Sequence, residues 1–222
     1  MPLPSIDLSP ILASPELPDI VDILAKRLRD ETPLRQKFYE DISDDMKAEF
    51  IDGEVVLHSP AMNRHLVARD RLAGLINLFV DMRQLGAARG EKCLCVFPRN
   101  DYEPDIVFFG PDKVATLTPT TMKFPVPDFA VEVLSESTEK RDRGVKFVDF
   151  DAHGVGEYWI VDPEHETVEQ FVREKEGERF SLALKSGSGE IESRAIQGFK
   201  IPIRAIFDAA ENMAAMKRFM GQ

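Results

Sequence analysis

The stretch YEPDIVFFG, residues 102–110, places one acid, Asp105, at the head of an apolar run that is typical of a buried strand. The stretch FAVEVLSES, residues 129–137, repeats the pattern, with Glu132 between two valines. Burying an ionised carboxylate without a partner is costly, so an acid in a core strand usually has a cation or strong hydrogen bonds beside it. These two strands therefore mark both the centre of a predicted sheet and a candidate site.

The two acids lie near the ends of consecutive predicted strands. If the strands pair with the acids side by side, Asp105 and Glu132 converge, and their repulsion requires either a proton or a divalent cation between them. Oxygen ligands favour Mg²⁺, Mn²⁺ or Ca²⁺ over softer metals. Two alternatives need no metal: the EPD segment can be a turn that starts a strand, and Glu132 can pair with an arginine or face solvent on an edge strand.

Length and composition narrow the class of protein. The chain has 222 residues, 43% of them hydrophobic and 30% charged, which suits one α+β domain with extensions. Its apolar stretches are shorter than a membrane span needs, and the N-terminus does not resemble a secretory signal. With only two cysteines, Cys93 and Cys95, we expect no disulfide framework and a cytoplasmic location.

The net charge of −11 argues against a general electrostatic binder of nucleic acid, because such domains are usually basic. A local basic groove remains compatible with this charge, since an enzyme can concentrate positive charge at one cleft.

The periodicity of the chain predicts the order of its elements. Residues 18–31 have the spacing of an amphipathic helix, and Thr32 with Pro33 predicts the start of a second helix over 32–42. Asp52-Gly53 is a favoured hairpin turn. The longest helix spans 61–86 with Gly86 as its C-cap. The remaining predictions are strands over 93–98, 105–109, 128–135 and 157–162, a helix over 137–152, a hairpin from 167–173 and 179–186, and a C-terminal helix over 203–220.

This order predicts an α/β (α+β) fold with a mixed sheet whose central strands are buried on both faces. We divide the chain into an N-terminal arm and helices (1–44), a central domain (45–208) and a C-terminal helix (209–222).

Several blocks of the sequence, in this order and spacing, resemble the Uma-two family, a bacterial group within the PD-(D/E)xK nuclease superfamily. The blocks run from about residue 45 to about residue 208; they are IDGEVVLHSP (51–60), NRH (63–65), EPDIVFFG (103–110), PDFAVEVLSEST (127–138), RDRGVKF (141–147) and GVGEYWIVDPEHETVEQF (154–171).

The resemblance implies a restriction-endonuclease-like core with a mixed central sheet flanked by helices. Asp105 matches the acid of the PD motif, and Glu132 matches the second acid. The superfamily commonly has a lysine two residues after that acid, where this chain has Leu134. In this family the lysine is expected on the following helix, and Lys146 matches it; Glu54, after the Asp-Gly turn, matches a further acid.

The chemistry of these residues agrees with the implied roles. Asp105 and Glu132, helped by Glu54, would hold Mg²⁺ (or Mn²⁺), which polarises a phosphate and lowers the pKa of bound water. Lys146 would offset the charge that develops on the phosphate. Without the family, a helix-surface ion pair with Asp142, four residues earlier, is the favoured explanation of Lys146.

Other polar residues have weaker assignments. His65 matches a frequent family position and is a candidate for substrate binding, although a capping or surface histidine explains it equally well. Arg141 and Arg143 could form a phosphate-binding rim or be solvated at a helix start. Tyr158 and Trp159 are expected in the core.

We therefore expect a Mg²⁺-dependent endonuclease that hydrolyses phosphodiester bonds in DNA, with weak or restricted DNA binding and no membrane contact. A homodimer would fit the cutting of two strands, and the Met-rich C-terminal helix and the N-terminal helix are candidates to build it. The alternative is an inactive descendant of the nuclease fold that acts as an interaction or DNA-associated module.

Overall fold

The computed structural model describes residues 7–43, 45–175 and 178–221. The elements up to the PD motif are α1 (Ser9–Leu12), α2 (Leu17–Asp41), β1 (Ala48–Ile51), β2 (Glu54–Leu57), α3 (Asn63–Arg83), β3 (Ala87–Gly90), β4 (Leu94–Val96), β5 (Asp101–Tyr102) and β6 (Ile106–Phe109). The later elements are α4 (Pro111–Val114), β7 (Lys123–Phe124), β8 (Phe129–Val133), α5 (Glu139–Arg141), a π-helical segment (Asp142–Lys146), α6 (Phe147–Ala152), β9 (Glu157–Asp162), β10 (Thr167–Val172), β11 (Ser181–Ser186), β12 (Glu190–Glu192), β13 (Lys200–Pro202), α7 (Arg204–Phe207) and α8 (Ala209–Phe219).

The strands form three sheets in the described part of the chain. The largest has six strands in the order β11-β10-β9-β8-β6-β3, in which β8 and β9 are parallel and the other neighbours are antiparallel. A five-stranded sheet has the order β2-β1-β5-β4-β7, and β12 pairs with β13. The mixed α/β fold is thus confirmed, with its strands divided among several mixed sheets flanked by helices.

The six-stranded sheet is buried on both faces, as its apolar strands require. On one face α3 packs through Leu72, Leu75 and Ile76 against the side of β8 that carries Val131, and α7 and α8 complete this core. The other face carries aromatic side chains, among them Tyr158, which is fully buried. Trp159 is also fully buried, so the expected core positions of both aromatic residues are confirmed.

The hairpin predicted at Asp52-Gly53 is confirmed, and both turn residues have positive φ (54° and 89°), as a tight two-residue turn requires. The C-cap predicted at Gly86 is displaced: the long helix ends at Arg83, and Gln84 takes the left-handed conformation (φ 55°). A glycine is needed at position 86 for a different reason: the backbone of Phe109 passes so close that a Cβ atom would collide with its carbonyl oxygen.

The prediction of two helices over 18–31 and 32–42 is wrong, because α2 continues without interruption through Pro33. Thr32 does not cap a second helix; its hydroxyl donates to the carbonyl of Leu28 (2.9 Å). Anchors on both sides of the proline hold the helix to one surface. Glu31 binds Arg99 (2.7 Å), and the Arg35 guanidinium binds Asp101. Tertiary contacts therefore override the proline signal.

None of the helices in the described ranges is long and apolar enough to cross a membrane.

Glu31 connects α2 to the five-stranded sheet in a pH-dependent way. Hydrogen bonds from Arg99 and Arg27 lower the pKa of this carboxyl to about 2, although burial opposes the shift. A carboxyl with a lowered folded-state pKa contributes stability above its unfolded pKa, about 4.5, and loses it as the pH falls toward 2.

We therefore expect Glu31→Gln to lower the free energy of unfolding near neutral pH, and the difference from the unchanged protein to shrink as the pH falls below about 4.5. Urea unfolding from about pH 7 to about pH 3 measures this difference. Asp30→Asn is the matched control, since Asp30 is exposed and pairs with Lys26 in the same helix. A Glu31→Gln difference that stays constant over this range would contradict the assignment.

Candidate active site

A cavity of about 960 Å³ opens beside the ends of β6 and β8. Its walls come from the segment after β2, the start of α3, and the loop between β8 and α5. Asp105, Glu132, Lys47 and Lys146 contribute to its lining. The two embedded acids of the sequence therefore face one common space.

The pairing of β6 with β8 explains why the acids meet. The strands are antiparallel with Ile106 opposite Val131, so one further residue brings Asp105 opposite Glu132. The backbone N–H of Val133 donates to Asp105 Oδ2 at 2.9 Å. Both side chains are almost fully buried, with 3% and 4% of their residue surface exposed. The expected convergence of the two carboxylates is thus present in the structure.

Asp105 is surrounded by positive and polar groups. Lys47 Nζ lies 3.0 Å from Oδ1, and His65 Nε2 lies 3.5 Å from Oδ2. Burial alone would raise the pKa of Asp105, but His65 and the charge of Lys47 outweigh it and lower the pKa below its usual range. Asp105 is consequently the ionised acid of the pair.

Lys146 is buried at the base of the cavity, with 1% of its surface exposed. Its ammonium lies 2.8 Å from Glu132 Oε1, 2.8 Å from Glu49 Oε1 and 3.4 Å from Asp142 Oδ1. Burial favours the neutral amine, yet these carboxylates raise the pKa of Lys146 well above its ordinary value and keep it charged. The surface ion pair with Asp142 alone is therefore not the arrangement found.

A π-helical turn orients the side chain of Lys146. The buried residues Asp142, Lys146 and Phe150 are spaced four apart, and a regular α-helix would rotate each by ~40° from the one before. The π-helical segment from Asp142 to Lys146 has more residues per turn and reduces that drift. The helix predicted over 137–152 thus exists as three consecutive pieces, with the π turn at the site.

The structure brings Glu49, not Glu54, to the acidic group. Glu54 is exposed at the start of β2, beside the hairpin turn, and does not line the cavity. Glu49 lies on β1, is fully buried and contacts Lys146. Alternation and register put both acids on the same face of the hairpin, since Glu54 pairs with Ile51, two residues from Glu49. They differ in position along it: Glu54 is exposed beside the turn, whereas Glu49 is buried against Lys146.

Glu49 is held by a reciprocal link between β1 and the segment before β6. The backbone N–H of Glu103 donates to Glu49 Oε1 (2.9 Å), and the N–H of Ala48 donates to Glu103 Oε2 (3.1 Å). His58 Nε2 lies 3.1 Å from the other oxygen of Glu49. Burial raises the pKa of Glu49, but Lys146 and His58 outweigh it and lower the pKa to about 2.

Glu132 and Asp142 carry the excess negative charge of the group. Burial raises the pKa of Glu132 well above its usual value, and the nearby acids add to this shift while Lys146 opposes it. Burial likewise raises the pKa of Asp142. The ammonium of Lys146 faces three carboxyl groups, and repulsion among them favours either a bound proton or a further cation.

The group fits a divalent metal ion in donor type and in charge. Four buried carboxyl groups (Glu49, Asp105, Glu132 and Asp142) face two ammonium groups (Lys47 and Lys146), so the acids outnumber the cations around them. Carboxylate oxygens suit Mg²⁺ and Mn²⁺. Within the described ranges, no three His, Cys, Asp or Glu side chains converge closely enough to hold a metal by themselves, so water or substrate oxygens would complete the coordination.

The expected substrate-binding residues separate into two groups. His65 and Arg141 line the cavity. In the described structure, His65 Nδ1 and Arg141 Nε are buried without a hydrogen-bond partner. Arg143 points away and binds Glu169 on β10 through two hydrogen bonds of 2.8 and 3.0 Å. Arg143 therefore forms an ion pair away from the cavity, which the sequence did not predict, and Arg141 remains a candidate for phosphate binding.

Sequence reasoning missed Lys47, Glu49 and His58, and it named Asp142 only as a surface partner of Lys146. For Lys47 and Glu49 a signal existed: charged and apolar residues alternate in KAEF, residues 47–50, directly before the hairpin turn. The position of His58 depends on the path of the segment after β2, and no pattern in the sequence reports that path.

Comparisons with known proteins show the family and the fold of this chain. A search of curated proteins finds no match. A putative nuclease of the DUF820 group from Anabaena variabilis ATCC 29413, whose crystal structure has been determined at 1.96 Å resolution, is 18% identical and superimposes with a TM-score of 0.66. The similarity covers 78% of this chain and 96% of that one, and shows a common fold. The model of the Uma2 family, described as "Putative restriction endonuclease", matches residues 35–204, and the chain belongs to this family.

Proposed function

We propose that this protein is a Mg²⁺- or Mn²⁺-dependent endonuclease that hydrolyses phosphodiester bonds in DNA. The observation that carries the proposal is the buried Lys146 ammonium in contact with Glu132 and Glu49, beside Asp105, at the base of an open cavity. An ammonium held among acids at a cavity wall is suited to a reaction in which a phosphate gains negative charge. Membership of a family described as restriction endonucleases supports DNA as the substrate.

Each residue has a role in this proposal. Asp105 and Glu132 would hold the metal ion, which when bound polarises the phosphate and makes its water a better nucleophile. Lys146 remains protonated and offsets the charge that develops on the phosphate, so it does not act as a base. Glu49 positions Lys146 through the 2.8 Å contact. Arg141, at the cavity wall, would bind a non-bridging phosphate oxygen.

The acidic surroundings of the cavity indicate a restricted substrate. Asp45, Glu91 and Glu136 also line it, and they would repel a DNA backbone that is not well placed. Together with the net charge of −11, this favours weak or selective DNA binding over general affinity. We place the protein in the cytoplasm, where DNA and free thiols such as Cys93 and Cys95 occur together.

A second candidate is an inactive module that keeps the cluster for stability. The observation that favours it is the same set of ion pairs, since the ammonium of Lys146 already pairs with Glu49, Glu132 and Asp142, and these ion pairs alone can stabilise the fold. Such an arrangement can persist in an inactive protein because removing one charged group would leave the others buried without a partner of opposite charge.

Cutting assays test the nuclease directly. With supercoiled plasmid and labelled oligonucleotides, we expect cutting in Mg²⁺ or Mn²⁺ that chelator abolishes. Asp105→Asn and Lys146→Gln should each reduce the rate by at least about a hundredfold, because each removes a group that stabilises the transition state. Far-UV circular dichroism verifies that these two variants fold. In the same assay, Arg141→Gln should raise KM more than it lowers kcat, because this residue is proposed to bind the substrate.

The roles of Glu49 and Glu54 are separated by one matched pair in the same assay. Glu49→Gln should reduce cutting strongly because the amide no longer pairs with the ammonium, and Glu54→Gln should leave it within about twofold, since an exposed side chain outside the cavity contributes little. A larger loss of cutting in Glu54→Gln than in Glu49→Gln would show that Glu54, and not Glu49, belongs to the site.

Metal binding distinguishes the enzyme from the inactive module. An ion that binds only the folded protein adds about 2.7 kcal/mol at a concentration one hundred times its Kd. We therefore expect Mg²⁺ or Mn²⁺ to raise the melting temperature of the unchanged protein and of Glu54→Gln, but not of Asp105→Asn. No cutting on any substrate together with no thermal shift would favour the inactive module.

A further inference from the structure

A second cavity, of about 270 Å³, lies between the end of α2, strand β4 and strand β7. Its lining is mainly apolar and includes Ile42, Leu94, Met122 and Phe124. An apolar protein cavity of ~150 Å³ is large enough for benzene, so this one has room for a ring that carries substituents. The proposed cutting of DNA gives the second cavity no role.

One carboxyl group, that of Glu103, belongs to this apolar lining. Glu103 is 2% exposed, and its Oε2 accepts a hydrogen bond from the backbone N–H of Ala48 at 3.1 Å. Within the described ranges, no hydrogen bond or ion pair reaches the other oxygen, Oε1. Buried polar atoms in proteins normally have a hydrogen-bond partner. The second cavity therefore offers an acceptor that the N–H group of a ligand would satisfy.

Two lysines place positive charge at the entrance of the second cavity. Lys92 and Lys123 line it, and both are exposed. The Nζ atom of Lys123 lies 4.2 Å from the centre of the Tyr39 ring, another lining residue, and this contact holds the ammonium at the cavity. A buried acceptor with cations at the entrance fits a molecule that has an N–H group on a ring and an anionic group at its other end.

A nucleotide has this distribution of groups. Its base is a flat ring with N–H donors, and its phosphate is a strong anion that lysine commonly binds. Cytosine is the smallest base with an exocyclic amino group, and carboxylates accept hydrogen bonds from that group. Uracil has a carbonyl oxygen at the same position, which would face Glu103 as a second acceptor. The carboxylate therefore favours cytosine over uracil.

Glu103 also connects the second cavity to the active site. Its backbone N–H donates to Glu49 Oε1 at 2.9 Å, and the same oxygen lies 2.8 Å from the ammonium of Lys146. Lys92 lines both cavities. A ligand on Glu103 would thus contact the residue that holds Glu49 in place, and a DNA strand in the active-site cavity is close enough to supply the base.

We propose that the second cavity binds a nucleotide with an amino-bearing base, whose amino group donates to Glu103 Oε1 and whose phosphate lies between Lys92 and Lys123. The nucleotide is either free or part of a DNA strand. This site goes beyond the proposed cutting of DNA, and its occupation requires no metal ion.

Calorimetric titration of the full chain in the presence of chelator tests the site without metal and without cutting. We expect dCMP to bind at least about tenfold more tightly than dUMP, because dUMP would leave two acceptors facing each other. Deoxyribose 5-phosphate, which has no base, should also bind at least about tenfold more weakly than dCMP. Equal binding of dCMP and dUMP, or no binding of dCMP, would overturn the proposal.

Glu103→Gln tests the residue that selects the base. The glutamine keeps an oxygen for the Ala48 N–H and presents an amide N–H₂ where Oε1 stood. The preference for dCMP over dUMP should therefore disappear or reverse. A preference that stays unchanged in a folded Glu103→Gln protein would show that Glu103 does not read the base, and would overturn the assignment.

A charge reversal at the entrance keeps the test valid if Glu103→Gln does not fold. Lys123→Glu should weaken dCMP binding at least about tenfold, because it replaces attraction of the phosphate by repulsion. Lys140→Glu is the matched control: Lys140 is exposed, lines neither of the two cavities, and should leave the affinity unchanged. Binding that is lost in Arg141→Gln but kept in Lys123→Glu would place the nucleotide in the active-site cavity and overturn the proposal.

Single-stranded trinucleotides identify the source of the base. If a DNA strand supplies it, a trinucleotide of deoxycytidine should bind at least about tenfold more tightly than dCMP, with the same loss in Lys123→Glu, because the strand adds contacts in the active-site cavity. If a free nucleotide is the ligand, the trinucleotide should bind no more tightly than dCMP. Metal-dependent cutting without any cytosine-dependent binding would reject this site and leave the proposed nuclease intact.

Discussion

The interaction on which the site depends is the ion pairing of one buried ammonium with several buried carboxyl groups. Lys146 lies within 3.4 Å of acids from β1, β8 and the π-helical segment, so it joins three parts of the chain that are far apart in sequence. Each of these acids would be costly to bury alone, and the lysine would be equally costly without them. The position of the hairpin relative to the central sheet is therefore fixed by electrostatics as well as by packing.

The sequence predicted the parts of the fold that local rules govern. Alternation and apolar runs identified the strands of Asp105 and Glu132, and the Asp-Gly turn identified the hairpin. Local rules failed where tertiary contacts dominate: Pro33 lies inside a continuous helix because Glu31 and Arg35 anchor it on both sides. Glu49 was missed for a related reason, since the burial of Glu49 and the exposure of Glu54 depend on how the hairpin packs against the rest of the chain.

Buried acids alone do not identify an active site, and Glu157 shows why. It is fully buried at the start of β9, and its oxygens accept hydrogen bonds from Trp159, Gln170, Ser193 and two backbone N–H groups, at 2.6 to 2.8 Å. It does not line the cavity that holds Asp105 and Glu132. From sequence Glu157 and Asp105 look alike; the difference is that the donors around Glu157 are neutral and complete, whereas Asp105 faces cations and open space.

The π-helical turn has a consequence for how related sequences should be aligned. A π turn is an α-helix with one residue inserted, so a relative that lacks the insertion would shift all later positions by one residue and rotate them by ~100°. An alignment without a gap at this point would then set Lys146 against a residue on another face of the helix. The lysine would seem to be missing from relatives that in fact possess it, and active family members would be misclassified as degenerate.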